Sequence, residues 1–164
     1  MKKHTVTLFA LLLPVFLFTS CSSDTESIDS TSVETAKNYV HNTTELELLD
    51  LVNAYRVENS LNTLEIIEHV SYKSEEHNNH MIATNIVSHE NFSLRKANLE
   101  QVIGAVRVGE NVAYGFSTPQ STLNAWIASE GHRLNLLGNY THFGLSIREN
   151  EEGRKYYTNI FVKK

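Results

Sequence analysis

Histidine and glutamate side chains that could act together lie in three short segments: Ser88-His89, Gly109-Glu110-Asn111 and Ser129-Glu130-Gly131-His132-Arg133. Two neutral imidazoles with one carboxylate and an open coordination position suit Zn²⁺ or another divalent cation, and such an ion acidifies a bound water. A second glutamate could then ligate, orient an imidazole or act as a base. The same side chains could instead form a hydrogen-bonded cluster that only ties loops to a sheet. Glu130 and His132 are two apart, a spacing that does not share a helix face, so they converge only where the chain leaves the helix at Gly131. A carboxylate in a last helical turn also meets the negative end of the dipole, a conflict of about 0.3–1 kcal/mol that marks Glu130 for function.

A different chemistry attaches to Cys21, the only cysteine. It follows Lys2 and Lys3, an apolar run from Leu8 to Phe18, and Thr19-Ser20. A positive start, a short apolar core and small residues before a cleavage point make a secretory signal. The run is too short to span a bilayer, which takes roughly 20 apolar residues. Phe18-Thr19-Ser20-Cys21 resembles a bacterial lipobox, whose cysteine is acylated and becomes the mature N-terminus. Residues 1–20 therefore read as a lipoprotein signal peptide, and the membrane is the expected partner of a lipidated Cys21. The expected location is the bacterial cell envelope. Ser22 is not the acidic residue that often signals inner-membrane retention, so the outer membrane is favoured.

Nineteen acidic residues against 14 basic ones give a net charge of −5, and removing Lys2 and Lys3 takes the mature chain to about −7. Without a basic stripe the chain is not a nucleic-acid binder. HExxH, GxSxG, P-loop and dinucleotide fingerprints are absent from the sequence. His77 and His80 could bridge a metal across one helical turn, but Asn78-Asn79-His80 reads as a solvated face.

The elements that must hold these residues follow from periodicity. Ser, Thr and acidic residues dominate positions 21–43, which read as a flexible tether. Residues 44–164 then form one domain. Thr44 and Glu47 make a capping box for a helix carrying Leu48, Leu51, Val52 and Tyr55. A second helix runs across Ile66, Val70, Ser74, His77 and Met81 to about Asn85, with His89 in the turn beyond. Arg107 to Tyr114 reads as a strand. Thr118-Pro119 starts a helix with Leu123, Trp126 and Ile127 on one side, and Gly131 is its expected stop. Phe143 to Arg148 alternates, Glu149 to Arg154 turns, and Tyr156 to Val162 is apolar on both faces, so the chain ends in a hairpin that needs cover on both sides. The expected architecture is α+β, a three-layer α-β-α sandwich around a mostly antiparallel sheet.

Ser88-His89, Gly109-Glu110-Asn111-Val112-Ala113, Ala125-Trp126 and Ser129-Glu130-Gly131-His132-Arg133, in that order, resemble the CAP superfamily, and in particular its bacterial, disulfide-free SCP-like branch. Thr141-His142-Phe143-Gly144-Leu145 fits the same pattern. The resemblance implies a cleft holding two histidines and two glutamates, which fall on His89, Glu110, Glu130 and His132. It implies His89 and His132 as ligands for Zn²⁺ or another divalent cation, with Glu110 and Glu130 as catalytic residues if there is turnover. The expected function is an envelope-anchored module that binds a lipid, a glycan or a protein, with a metal-assisted hydrolase or peptidase as the alternative.

Overall fold

The structure, a computed structural model, describes residues 34–164; the leader and Cys21 lie outside the described residues. Among the described residues five helices and four strands follow one another: α1 Thr43–Glu58, β1 Glu65–Ile66, α2 Glu68–Thr84, α3 Phe92–Ile103, β2 Arg107–Tyr114, α4 Pro119–Ala128, α5 Glu130–Leu136, β3 His142–Glu149 and β4 Lys155–Lys163. The sheet order is β1-β3-β4-β2, with only the two-residue β1 parallel to its neighbour. No described helix is long and apolar enough to cross a membrane.

Both sheet faces are covered, as the doubly apolar last strand requires. Leu48, Leu49 and Val52 of α1, Leu123 and Trp126 of α4 and Leu136 of α5 pack on Ala113, Phe143, Leu145, Tyr157 and Phe161. On the opposite face, Val70 and Met81 of α2 and Leu99 of α3 pack on Val112, Tyr156, Ile160 and Val162. The result is the expected three-layer sandwich with its terminal hairpin.

Helix α2 lies directly against the sheet backbone, and polar side chains make that approach tolerable. Where β1 ends, the neighbouring edge of β3 would be left unpaired, and Ser71 Oγ accepts from Leu145 N–H there at 3.2 Å, as Glu45 does from Ile147 N–H. Ser74 Oγ donates to Gly144 C=O at 3.0 Å and Asn78 Nδ2 to Ser146 C=O at 2.7 Å, carbonyls on the β4 side of the strand. Asn78 is thus fully buried, contrary to its expected place on a solvated face. An amide at helical spacing among polar neighbours looks exposed until the strand opposite it is known.

The first helix starts earlier than expected. Asn42, not Thr44, is the cap: its side chain accepts from Glu45 N–H, and Glu45 Oε2 accepts from Asn42 N–H, both at 2.9 Å. The two candidate boxes have the same spacing, and tertiary contacts choose between them. Glu45 is almost fully buried and also accepts from Tyr39 Oη (2.6 Å), Ile147 N–H (2.8 Å) and Arg148 Nη1 (3.1 Å). The expectation of a tether over 21–43 does not hold for its last residues, 34–42. Residues 34–42 form a strap on the domain, held by Tyr39, by Lys37 N–H donating to His69 Nδ1, and by Glu34 against Lys73. Tyr39→Phe, which deletes the hydroxyl shared by Glu45 and Ser146, is expected to cost about 1.5–3 kcal/mol in urea unfolding, the usual range for a hydrogen bond to a charged group.

Candidate functional site

Glu110 is the centre of the site. It sits on β2, the outer strand of the sheet, and is 5% exposed. Its carboxylate accepts from His89 Nδ1 at 2.8 Å and from Arg95 Nε and Nη2 at 2.8 Å each, with His77 Nε2 at 3.8 Å. Burial alone would raise the Glu110 pKa, but the hydrogen bonds from His89 and Arg95 and the positive charge of Arg95 outweigh it and hold the carboxyl below its usual range. Glu110 is therefore an ionised acceptor held by three hydrogen bonds from the protein.

The local sequence explains how the partners arrive. Asn85 ends α2 in the left-handed conformation, and the short loop after it returns His89 to β2. The next helix, α3, has no counterpart among the elements expected from periodicity, and it carries Arg95 beneath the cleft. Arg95 Nη1 donates to Glu90 C=O at 2.7 Å, fixing the loop to the helix. Gly109 lets α5 approach β2 closely, because a Cβ there would meet Tyr140 Oη and lie 2.8 Å from Asn135 Oδ1. Asn135 Nδ2 donates to Glu110 C=O at 3.0 Å, and Trp126 Nε1 caps Val112 C=O at 3.0 Å. Trp126 is the core anchor its helical neighbours indicate.

His89 has its side chain about half exposed (51%), so with Nδ1 committed to Glu110 its other nitrogen is free for a ligand. His132 is half-buried on α5, and its backbone carbonyl accepts from Asn111 Nδ2 at 3.0 Å. Burial, and then repulsion from His89, depress the His132 pKa, so the two rings are electrostatically coupled and His132 favours the neutral form. A cleft of about 320 Å³ is bounded by His89, Phe92, Val108, Gly109, Glu110 and Asn135.

Glu130 departs from the sequence expectation. Helix α4 stops at Ser129, whose backbone is extended, and a new helix begins at Glu130, with Gly131 inside it rather than ending the previous one. Glu130 thus occupies a first turn, where the dipole favours a carboxylate, and the expected dipole conflict does not arise. The Glu130 side chain is exposed and has no hydrogen-bond partner among the described residues. His142, at the start of β3 beside Thr141 and Glu65, is across the sheet from the cleft.

His77, an ordinary helix position by its sequence neighbours, instead backs the cleft. It is buried, Nε2 donates to Ser88 C=O at 2.9 Å, and Nδ1 has no partner among the described residues. Burial, reinforced by the charge of Arg95 and only partly opposed by Glu110, pushes its pKa down to about 4. The unfolded histidine takes a proton near pH 6.5 while the folded one does not until about 4, so stability from this residue is complete above pH 6.5 and declines as pH falls toward 4. We expect wild type to lose stability across that window, by up to about 1.4 kcal/mol per pH unit, and His77→Gln to flatten the slope in urea titrations at successive pH values.

The donor set can be compared with a metal centre. Among the described residues no group of three or more His, Cys, Asp or Glu side chains is arranged to hold an ion. Glu110 is held by Arg95 and His89, and Glu130 is exposed. The three protein ligands of a catalytic zinc are therefore not assembled, whereas an imidazole oriented by a carboxylate is the usual backing of a single histidine ligand.

Comparison with known proteins agrees with this architecture. The model of the family described as "CAP: Cysteine-rich secretory protein family" matches residues 49–162. A membrane protein of Bacillus subtilis (strain 168), YlbC, is 33% identical over 129 residues, covering 76% of this chain and 36% of its own length. YkwD of the same organism is 33% identical over 112 residues, covering 64% and 42%. The chain thus spans about two-fifths of the length of the curated relatives it matches. Among solved structures, an extracellular SCP-domain protein from Bacillus anthracis superposes with a TM-score of 0.66 at 29% identity, over 74% of this chain and 40% of that one. An outer surface protein of Borrelia burgdorferi gives 0.68 at 18% identity, over 76% and 96%, which is a likeness of fold.

Proposed function

Since the chain belongs to the cysteine-rich secretory protein (CAP) family, we propose that it is an envelope-anchored binding module whose ligand enters the cleft at His89. The observation that carries this reading is the state of Glu110. A carboxylate held ionised by Arg95 and His89, with a lowered pKa, is a weak base for taking a proton from water. Glu110 is an orienting group, and His89 and His132 are the polar contacts it and Asn111 hold in place. Anchoring through acylated Cys21 fits the leader, and the surface, extracellular or membrane descriptions of relatives support an envelope location.

The test is retention. Full mature protein, recovered from envelopes or incubated with envelope extract, carries a defined ligand that His89→Ala loses. Ligand-free wild type under both conditions would overturn the reading. So would hydrolytic turnover abolished by Glu130→Gln.

The orientation of His89 favours a second reading, in which its free nitrogen and His132 hold a divalent cation. Such an ion would supply Lewis acidity, and a hydrolase or peptidase would then need Glu130 as its base. Calorimetric titration with Zn²⁺ should show weaker binding in His89→Ala and His132→Ala, and a roughly 10–100-fold loss in Glu110→Gln if Glu110 orients the ligand. Equal binding in all four proteins sinks it.

A further inference from the structure

The free edge of β2 runs through the cleft, and it is capped over only part of its length. Gly115 N–H donates to Lys155 C=O at 2.8 Å, and the register places Gly109, Asn111 and Ala113 opposite Phe161, Asn159 and Tyr157. Odd-numbered residues of β2 therefore exchange hydrogen bonds with β4, and the backbone groups of Val108, Glu110 and Val112 point outward. Asn135 occupies the carbonyl of Glu110, and Trp126 that of Val112. The N–H and C=O of Val108 and the N–H groups of Glu110 and Val112 are left without a partner among the described residues, and of these Val108 and Glu110 line the cleft. Flanking them are Phe92 on one wall and His89 and Asn135 on the others.

We propose that this cleft binds an extended peptide segment of another protein, which adds to the edge of β2 at Val108 and Glu110. This inference rests on the binding-module reading and names the ligand class. An edge with two donors and one acceptor at strand spacing is complementary to another strand, which offers the same groups in alternation. An acyl chain offers none of them. The cleft, about 320 Å³, is at the small end of ligand pockets. It admits the short length of chain that three strand residues can pair, while a larger ligand would be left outside. Apolar Phe92 and Val108 provide contact for a side chain on one face of such a peptide, and His89 and Asn135 meet polar groups.

The experiment uses the full mature chain, a display library of unstructured peptides as probe, and the variant Val108→Pro. Proline removes the outward N–H yet is tolerated where that group faces away from the ladder. Peptides captured by wild type should slow amide exchange at Val108 and Glu110 at least about tenfold, with Gly109 and Asn111, already paired to β4, changing little. Their affinity for Val108→Pro should fall at least about tenfold, the worth of one or two backbone hydrogen bonds. If Val108→Pro does not fold, the alternating exchange pattern in wild type decides. Captured peptides that protect neither amide overturn the proposal. Envelope lipid or glycan retained by a protein that captures no peptide also overturns it, and leaves the binding-module reading standing. Absence of every ligand overturns both.

Discussion

Arg95→Met should destabilise the protein by about 3–5 kcal/mol at pH 7, because it leaves the Glu110 carboxylate buried without its bidentate partner. That is a large share of the roughly 5–15 kcal/mol available to a typical domain. The double variant Arg95→Met/Glu110→Gln should recover most of the loss, since the cost lies in the orphaned charge. The pH dependence separates this cause from simple loss of packing. In wild type the Glu110 pKa is lowered, so its contribution is complete above the ordinary carboxylate range and is lost as pH falls through the folded value. In Arg95→Met, burial would dominate and raise that pKa. Protonation would then relieve the unpaired charge, and the deficit should shrink between pH 7 and pH 5 in urea unfolding. An equal deficit at both values would contradict the assignment.

Gly144→Ala is expected to cost about 3 kcal/mol or more, at the upper end for overpacking. A Cβ at this position would fall 2.6 Å from the Val70 carbonyl carbon and 2.7 Å from Val70 Cβ, and it would also strike Ser71 N. These atoms belong to the backbone and first turn of α2, which cannot swing aside as a flexible side chain could. Relief would require lifting α2 from β3, and with it the contacts of Ser71, Ser74 and Asn78. Gly109→Ala should be milder in stability, since its clash is with the ends of the Tyr140 and Asn135 side chains. Paired denaturation curves of the two variants test the ranking, and a Gly144→Ala curve within about 1 kcal/mol of wild type would refute direct helix-on-strand contact.

The parts of this architecture that are legible in the sequence are those whose signal is local. Alternation from Phe143 to Ile147 and the doubly apolar Tyr156–Val162 run specify the hairpin, and Asn85 closes α2 with the backbone conformation that asparagine favours. The pairing of His89 with Glu110 follows from the ordered motifs. Helix α3 is not legible because only Arg95 and Leu99 are buried on it, too few to produce a period. Arg95 itself looks like a surface residue until the carboxylate across from it is known. The break at Ser129 carries neither proline nor glycine, and the nearby Gly131 points to the wrong position.

The strap over residues 34–42 determines how the domain bears load. Force applied at Glu34 is met first by Lys73 of α2 and Asn98 of α3. Beyond them it meets Tyr39, whose hydroxyl shares Glu45 and Ser146, and Glu45 in turn grips the backbone of β3 and the guanidinium of Arg148. The strap is therefore tied to α1, α2 and β3 by several bonds at once. Asn98, which donates to Glu34, shares α3 with Arg95 under the cleft, so the strap and the cleft are joined through one helix.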